Sequence, residues 1–284
     1  MFAFITCIRH PDSTQNWQHV ETLYEQCARS ICNQADEDFI LIVVCNKKPE
    51  INFHDEHIIY VETDLPIPRK ERRYVVMDRA IKRLIGIKVA QQHQADWLMV
   101  VDADDYVSNK LVKNIQSAVL DNSSAGYYIN KGYLYDYQTH RVQRKYGFNT
   151  YCGSSLIYQA KHIYPLLDLA HEDWNQLIQS NEANIEVLMD LFGNHIRSRK
   201  YFENQSKPLT EYPYFGAAWV INNGENTSKT KGKNSGIFPN HALAKEYKFP
   251  QSAGKRENNL KSVIHEKFLL LKSLVAFRLN ISKH

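Results

Sequence analysis

Hydrophobic positions in the first hundred residues alternate between unbroken runs and helical spacing. Phe2 to Ile8 and "FILIVVCN" (39–46) are apolar at successive positions, the pattern of strands covered on both faces. "HIIYVET" (57–63) reads as a third strand, and "WLMVVD" (97–102) as a fourth. Between the first two, Trp17, Val20, Tyr24, Cys27 and Ile31 recur every three or four residues and predict a helix, with Ser13 or Thr14 placed to cap it. Met77, Ala80, Ile81, Leu84 and Ile87 predict a second helix over about 73–93. Strands and helices in alternation imply a doubly wound, right-handed α/β sheet.

Beyond residue 110 the period changes. The Tyr-rich stretch 126–146 contains Asn130-Lys131-Gly132 and suggests antiparallel strands joined by turns. A strand is expected at 154–158, helical stretches at 173–180 and 183–192, and a strand at "GAAWVI" (216–221). Asn222 to Gly236 is almost devoid of apolar residues and reads as a mobile surface loop able to close over a ligand. A last helix is expected over 257–279, with Leu260, Ile264, Phe268, Leu271, Leu274 and Val275 on one side. The chain thus divides into an α/β half (1–110), a second half of the same domain (111–245) and a basic, amphipathic C-terminal segment (246–284).

Composition narrows the class. With 284 residues, 43% of them apolar, the chain can bury a full core. No apolar run approaches the ~20 residues that span a bilayer, and the opening "MFAFITCIRHPD" is too short a run for a secretory signal. Five cysteines without a Cys-x-x-Cys pair agree with a cytoplasmic location. The net charge of +4 is uneven, because from Lys245 onward nine Lys or Arg stand against three Glu. A mildly acidic body without a recognised motif argues against nucleic acid as a partner. The last helix has to bury its apolar stripe against its own domain or in a homodimer, or else lie peripherally on the inner face of the plasma membrane, drawn there by its basic residues.

The chemistry concentrates in "DWLMVVDADDYVSNK" (96–110), where a buried strand ends in Asp102, Asp104 and Asp105. Carboxylates this close repel one another, and a hard cation such as Mn²⁺ or Mg²⁺ relieves the repulsion while leaving most of its coordination sphere to water and substrate phosphate. Capping of a helix beginning near Ser108 is the competing explanation, but a cap needs one Asp and not three.

Strand, helix, strand and then "VVDADD" resembles the nucleotide-sugar half of GT-A (Rossmann-like) glycosyltransferases, particularly glycosyltransferase family 2. The resemblance implies a doubly wound mixed sheet with a C-terminal acceptor half. It also implies an Asp-x-Asp motif in which Asp102 and Asp104 hold the cation and the donor diphosphate, with Asp105 in reserve. "MDRAIKRLIGIKVA" (77–90) is similar to the helix preceding that motif, and so places Asp78 and Lys82 on the donor; a salt bridge between them is the alternative. "AHEDWNQLI" (170–178) resembles the segment that carries the family's catalytic base, here Asp173 with Glu172 beside it, and Arg9 after the first strand is a further donor contact. From "CGSSLIY" to "PYFGAAWVINNGENTS" the chain looks like bacterial rhamnosyltransferase-like sequences. Cys45, Asn46 and Lys47 depart from the family, which carries an acidic residue after the second strand.

The implied activity is metal-dependent, inverting transfer of a sugar from a nucleotide-diphosphate donor to a glycan or lipid-linked acceptor, in bacterial surface polysaccharide synthesis. The alternatives are a sugar nucleotidylyltransferase-like enzyme, whose Gly-rich loop is missing from "CIRHPDS", and an inactive glycan- or partner-binding module. An aspartate-nucleophile phosphatase is disfavoured, since Tyr106 stands where that class needs Thr or Val.

Overall fold

The computed structural model describes residues 1–118, 120–121, 123–169, 189–225, 236–250 and 260–281. The first half forms as its pattern predicts. Strands β1 (Phe2–Cys7), β2 (Phe39–Cys45), β3 (Ile58–Glu62) and β4 (Trp97–Val100) are parallel, in the order β3-β2-β1-β4. Helices α1 (Trp17–Ile31) and α2 (Arg72–Gln92) connect them. Side chains of a strand alternate between faces, so Phe2 and Phe4 join Val20, Tyr24, Cys27 and Ile31 of α1, while Ala3 and Ile5 join Ala80, Ile81, Leu84 and Ile87 of α2. Asn16, rather than Ser13 or Thr14, caps α1: its side chain accepts from His19 N, because residues 11–13 are used in a 3-10 turn.

The sheet then turns antiparallel. Beyond β4 lie β8 (Leu156–Gln159), β6 (Gly126–Asp136), β9 (Thr210–Ile221) and the two-residue β5 (Tyr106–Val107), while β7 (Val142–Tyr146) pairs the distal part of β6. The described residues therefore build one nine-stranded mixed sheet. The α/β class with a mixed sheet read from the sequence is met. Asn130-Lys131-Gly132 does not turn the chain as expected. It lies within β6, at a register irregularity against β9, and the Phe148 ring fills the space a side chain at Gly132 would need. The reversal falls at 137–141, where the Asp136 carboxylate accepts from the backbone N–H groups of Gln138 and Thr139.

Strand β9 is twice as long as expected and pairs with β6 in parallel. The shorter helices are α3 (Leu111–Gln116), α4 (His195–Asn204, capped by Asn194) and α5 (His241–Tyr247, capped by Asn240). Helix α4 was not anticipated. The helical stretch expected at 173–180 lies outside the described residues, and of that expected at 183–192 only 189–192 is described, which with Gly193 forms a single π turn. Helix α6 (Leu260–Ile281) is present and packs on β7. Among the described residues no helix is long and apolar enough to cross a membrane.

Candidate functional site at the end of β4

Strand β4 is the hinge of the sheet, parallel to β1 on one side and antiparallel to β8 on the other. The strand order β3-β2-β1-β4 also reverses between β1 and β4, and the carboxyl ends of parallel strands leave a crevice at such a switch point. Val101 continues the pairing with its N–H on the Ile5 carbonyl, and a tight turn follows, closed by Asp105 N on Asp102 O at 3.0 Å. The turn gives the three carboxylates separate surroundings.

Asp102 accepts from Arg83 Nη2 at 2.7 Å, and its backbone N–H donates to Ser154 Oγ at 2.9 Å. Burial opposes its charge, but Arg83, Arg79 and His195 outweigh that and hold its carboxyl below the ordinary range. A side-chain carbon at Gly153 would stand 2.7 Å from Asp102 Oδ2, so only glycine leaves that oxygen its place. Asp104 accepts from Asn223 Nδ2 at 2.6 Å. Burial and the neighbouring Asp102 push its carboxyl up to about 6. Asp105 is wholly buried, accepting from Ser154 Oγ at 2.6 Å, Cys152 Sγ at 3.2 Å and the Val220 N–H at 2.9 Å. Burial, then Asp104 and Asp102, raise it far above the carboxylate range. Its hydrogen bonds point into the protein, so it anchors the turn to β8 and β9.

Arg83 is 5% exposed, a charged side chain on a stretch of α2 that is buried all round. Its Nη1 holds the Phe192 carbonyl at 2.6 Å. A cavity of about 20 Å³ opens beside it, lined among others by His195, Gly153, Tyr158 and Phe192. Arg83 Nε and His195 Nε2 are both buried and have no hydrogen-bond partner among the described residues. Burial keeps the His195 imidazole below its ordinary pKa.

On the other side of the turn, residues 222–225 form a strap over the start of α1. His19 Nε2 meets the Asn223 carbonyl at 2.7 Å, Thr14 Oγ1 donates to Glu225 Oε1 at 3.2 Å, and Arg9 pairs with the other Glu225 oxygen. Asp78 and Lys82 pair at 3.1 Å. Lys82 is fully buried and also donates to the Ile8 carbonyl at 3.0 Å, so the pair is internal and not the surface bridge its spacing would allow. Glu172 and Asp173 lie outside the described residues.

The carboxylates fit a hard cation of modest demands. Among the described residues Asp102 Oδ2 and Asp104 Oδ1 accept no side-chain hydrogen bond, and the raised Asp104 carboxyl marks negative charge that burial and Asp102 leave uncompensated. Among the described residues no group of three or more His, Cys, Asp or Glu is placed to hold a metal. Two carboxylates with one uncommitted oxygen each suit an ion that takes one or two protein carboxylates, as Mg²⁺ does. Arg83, His195, Gly153, Ser154, Asn223 and Glu225 were not singled out from the sequence. Arg83 alone had a usable signal, since it stands with Lys82 inside the apolar face "AIKRLIGI".

No family model matches the sequence, and no curated protein sequence does. Solved structures give distant likenesses. Residues 1–349 of S. aureus TarS align with 77% of this chain and 60% of that one, at 10% identity and a TM-score of 0.45. The same protein in complex with UDP-GlcNAc aligns with 82% of this chain and 62% of that one, at 10% identity and a TM-score of 0.47. Francisella tularensis 2-C-methyl-D-erythritol 4-phosphate cytidylyltransferase gives 10% identity and a TM-score of 0.34, over 74% of this chain and 90% of that one. The chain thus spans about three-fifths of the TarS 1–349 chains it matches. At these scores the likeness bears on neither activity nor substrate.

Proposed function

We propose that the chain is a glycosyltransferase that moves a sugar from a nucleotide-diphosphate donor to a hydroxyl acceptor, with a divalent cation between Asp102 and Asp104. The observation that carries this reading is the pair of carboxylates at the sheet's change of direction, one held ionised by Arg83 and Arg79, the other pushed up to about 6 by the first. Such a pair is relieved by a cation, and the crevice is where a mixed α/β sheet takes a ligand.

A bound Mn²⁺ or Mg²⁺ would offset the charge developing on the leaving diphosphate. Arg83 fixes the Asp102 carboxylate in one orientation, and Asn223 does the same for Asp104. Arg79, whose charge reaches Asp102, and Arg9, paired with Glu225, supply positive charge for donor phosphates. Asp78 and Lys82 would act on the donor through the Ile8 carbonyl that they brace, one residue before Arg9. Asp173, with Glu172 beside it, is assigned the acceptor's proton, and a single base opposite the leaving group implies inversion. A glycan or lipid-linked acceptor from bacterial surface polysaccharide synthesis is the substrate class this reading assigns.

Thermal melting with UDP, GDP, dTDP or CDP, each with Mn²⁺, Mg²⁺ or chelator, tests the reading. Ligand at ~100 times its dissociation constant adds roughly 2.7 kcal/mol. A shift with one nucleotide that requires both metal and Asp104 is the expected result; no shift with any nucleotide overturns it.

A further inference from the structure

Helix α6 meets the domain with only one face. Its Glu266 is 4% exposed, turned inward where its charge acts on Tyr133, and the helix packs there on β7. The opposite face carries Ile264, Phe268, Leu271 and Val275, which are 58%, 61%, 61% and 51% exposed. They follow one another by four, three and four residues, so they form a single stripe along the helix. At 100° per residue Lys267 falls on one side of that stripe and Lys272 on the other, and both are exposed. Between residues 263 and 275 the one carboxylate is the inward Glu266. Every outward Lys, Arg, Asp or Glu of that stretch is therefore a lysine.

We propose that this face of α6 docks the protein on an anionic lipid surface. Phe268 and Leu271 would enter the boundary between head groups and acyl chains, while Lys267 and Lys272 meet lipid phosphates on either side. Charge decides the occupant. A second copy of the same helix would set lysine against lysine with no outward acid to receive either, whereas a phosphate-rich bilayer complements both the stripe and its flanks. The inference stands apart from the chemistry at Asp102 and Asp104, since no residue of the stripe belongs to that site.

Co-sedimentation of the full chain with vesicles tests it. Phosphatidylcholine vesicles containing phosphatidylglycerol should pellet the protein, phosphatidylcholine alone should not, and added salt should release it. Phe268→Ser/Leu271→Ser and Lys267→Glu/Lys272→Glu should each weaken binding by about tenfold or more, and the charge variant carries the test should the serine variant aggregate. Equal binding to neutral vesicles, no binding to either, or an undiminished charge variant overturns the proposal. So does a dimer in sedimentation velocity that Phe268→Ser abolishes.

Discussion

Arg83 Nη2 lies 2.7 Å from Asp102 Oδ1, joining the middle of α2 to the end of β4 through a guanidinium that also holds the Phe192 carbonyl. Replacement by Met keeps the apolar stem but leaves a carboxylate and a carbonyl without their donor. Removing one member of a buried pair costs about 3–5 kcal/mol, which the 31% exposure of the Asp102 side chain reduces to about 2–3 kcal/mol. Arg83→Met should lose stability of that order in urea unfolding, and Arg83→Lys, which cannot span both partners, should recover only part of it.

Gly153 touches the site through the side chain it lacks. In Gly153→Ala the added methyl meets Asp102 Oδ2 at 2.7 Å, so the carboxylate has to turn away. The backbone at Gly153 needs no positive φ, and the fold should survive with a melting temperature near that of wild type. The metal-dependent shift produced by the preferred nucleotide should be reduced by at least about tenfold in apparent affinity.

Repulsion between Asp102 and Asp104 makes a different prediction. Without metal at pH 8, Asp104→Asn should be more stable than wild type, by on the order of 1 kcal/mol after allowance for solvent screening. The same variant should lose its response to Mn²⁺ or Mg²⁺. Calorimetric melts with and without chelator show both effects at once, and a variant less stable than wild type without metal would contradict the repulsion argument.

His195 gives the molecule an acid-side weakness. Burial lowers its pKa in the fold, so below about pH 6.5 the unfolded chain takes up a proton that the folded chain refuses. This contribution is present at higher pH and is lost as pH falls through the unfolded value toward the folded one. His195→Gln should therefore gain on wild type in melts at about pH 5.5 relative to pH 8. An unchanged difference between the two proteins across that range would show that the imidazole is not held neutral.

The parallel half was legible because strands covered on both faces are written as continuous apolar runs, and β1, β2 and β4 sit within a residue or two of their predicted ends. The position of the acidic motif followed from the same reading. What each aspartate does was not legible, since it depends on a turn that points Asp105 inward to Val220 and leaves Asp104 beside Asn223, 119 residues away. Asn-Lys-Gly misled for a local reason, because its glycine serves Phe148 rather than a turn. Strand β9 was shortened because Pro213, with Thr210 and Glu211 before it, breaks the apolar signal, although the pairing with β6 runs from Thr210 onward.

The hydrogen bond from the Val220 N–H to Asp105 has a consequence for the order of synthesis. Asp105 leaves the ribosome long before the strand that satisfies it, and its pairing partner β5 likewise waits for β9. Until about residue 223 has been made, a nascent chain carries a cluster of carboxylates served by Arg83, Cys152 and Ser154 but lacking the Val220 N–H and the Asn223 amide. Strands β1 to β4 can pair earlier, but the turn at the carboxyl end of β4 takes its final form only once β9 is made, later than the parallel half of the sheet.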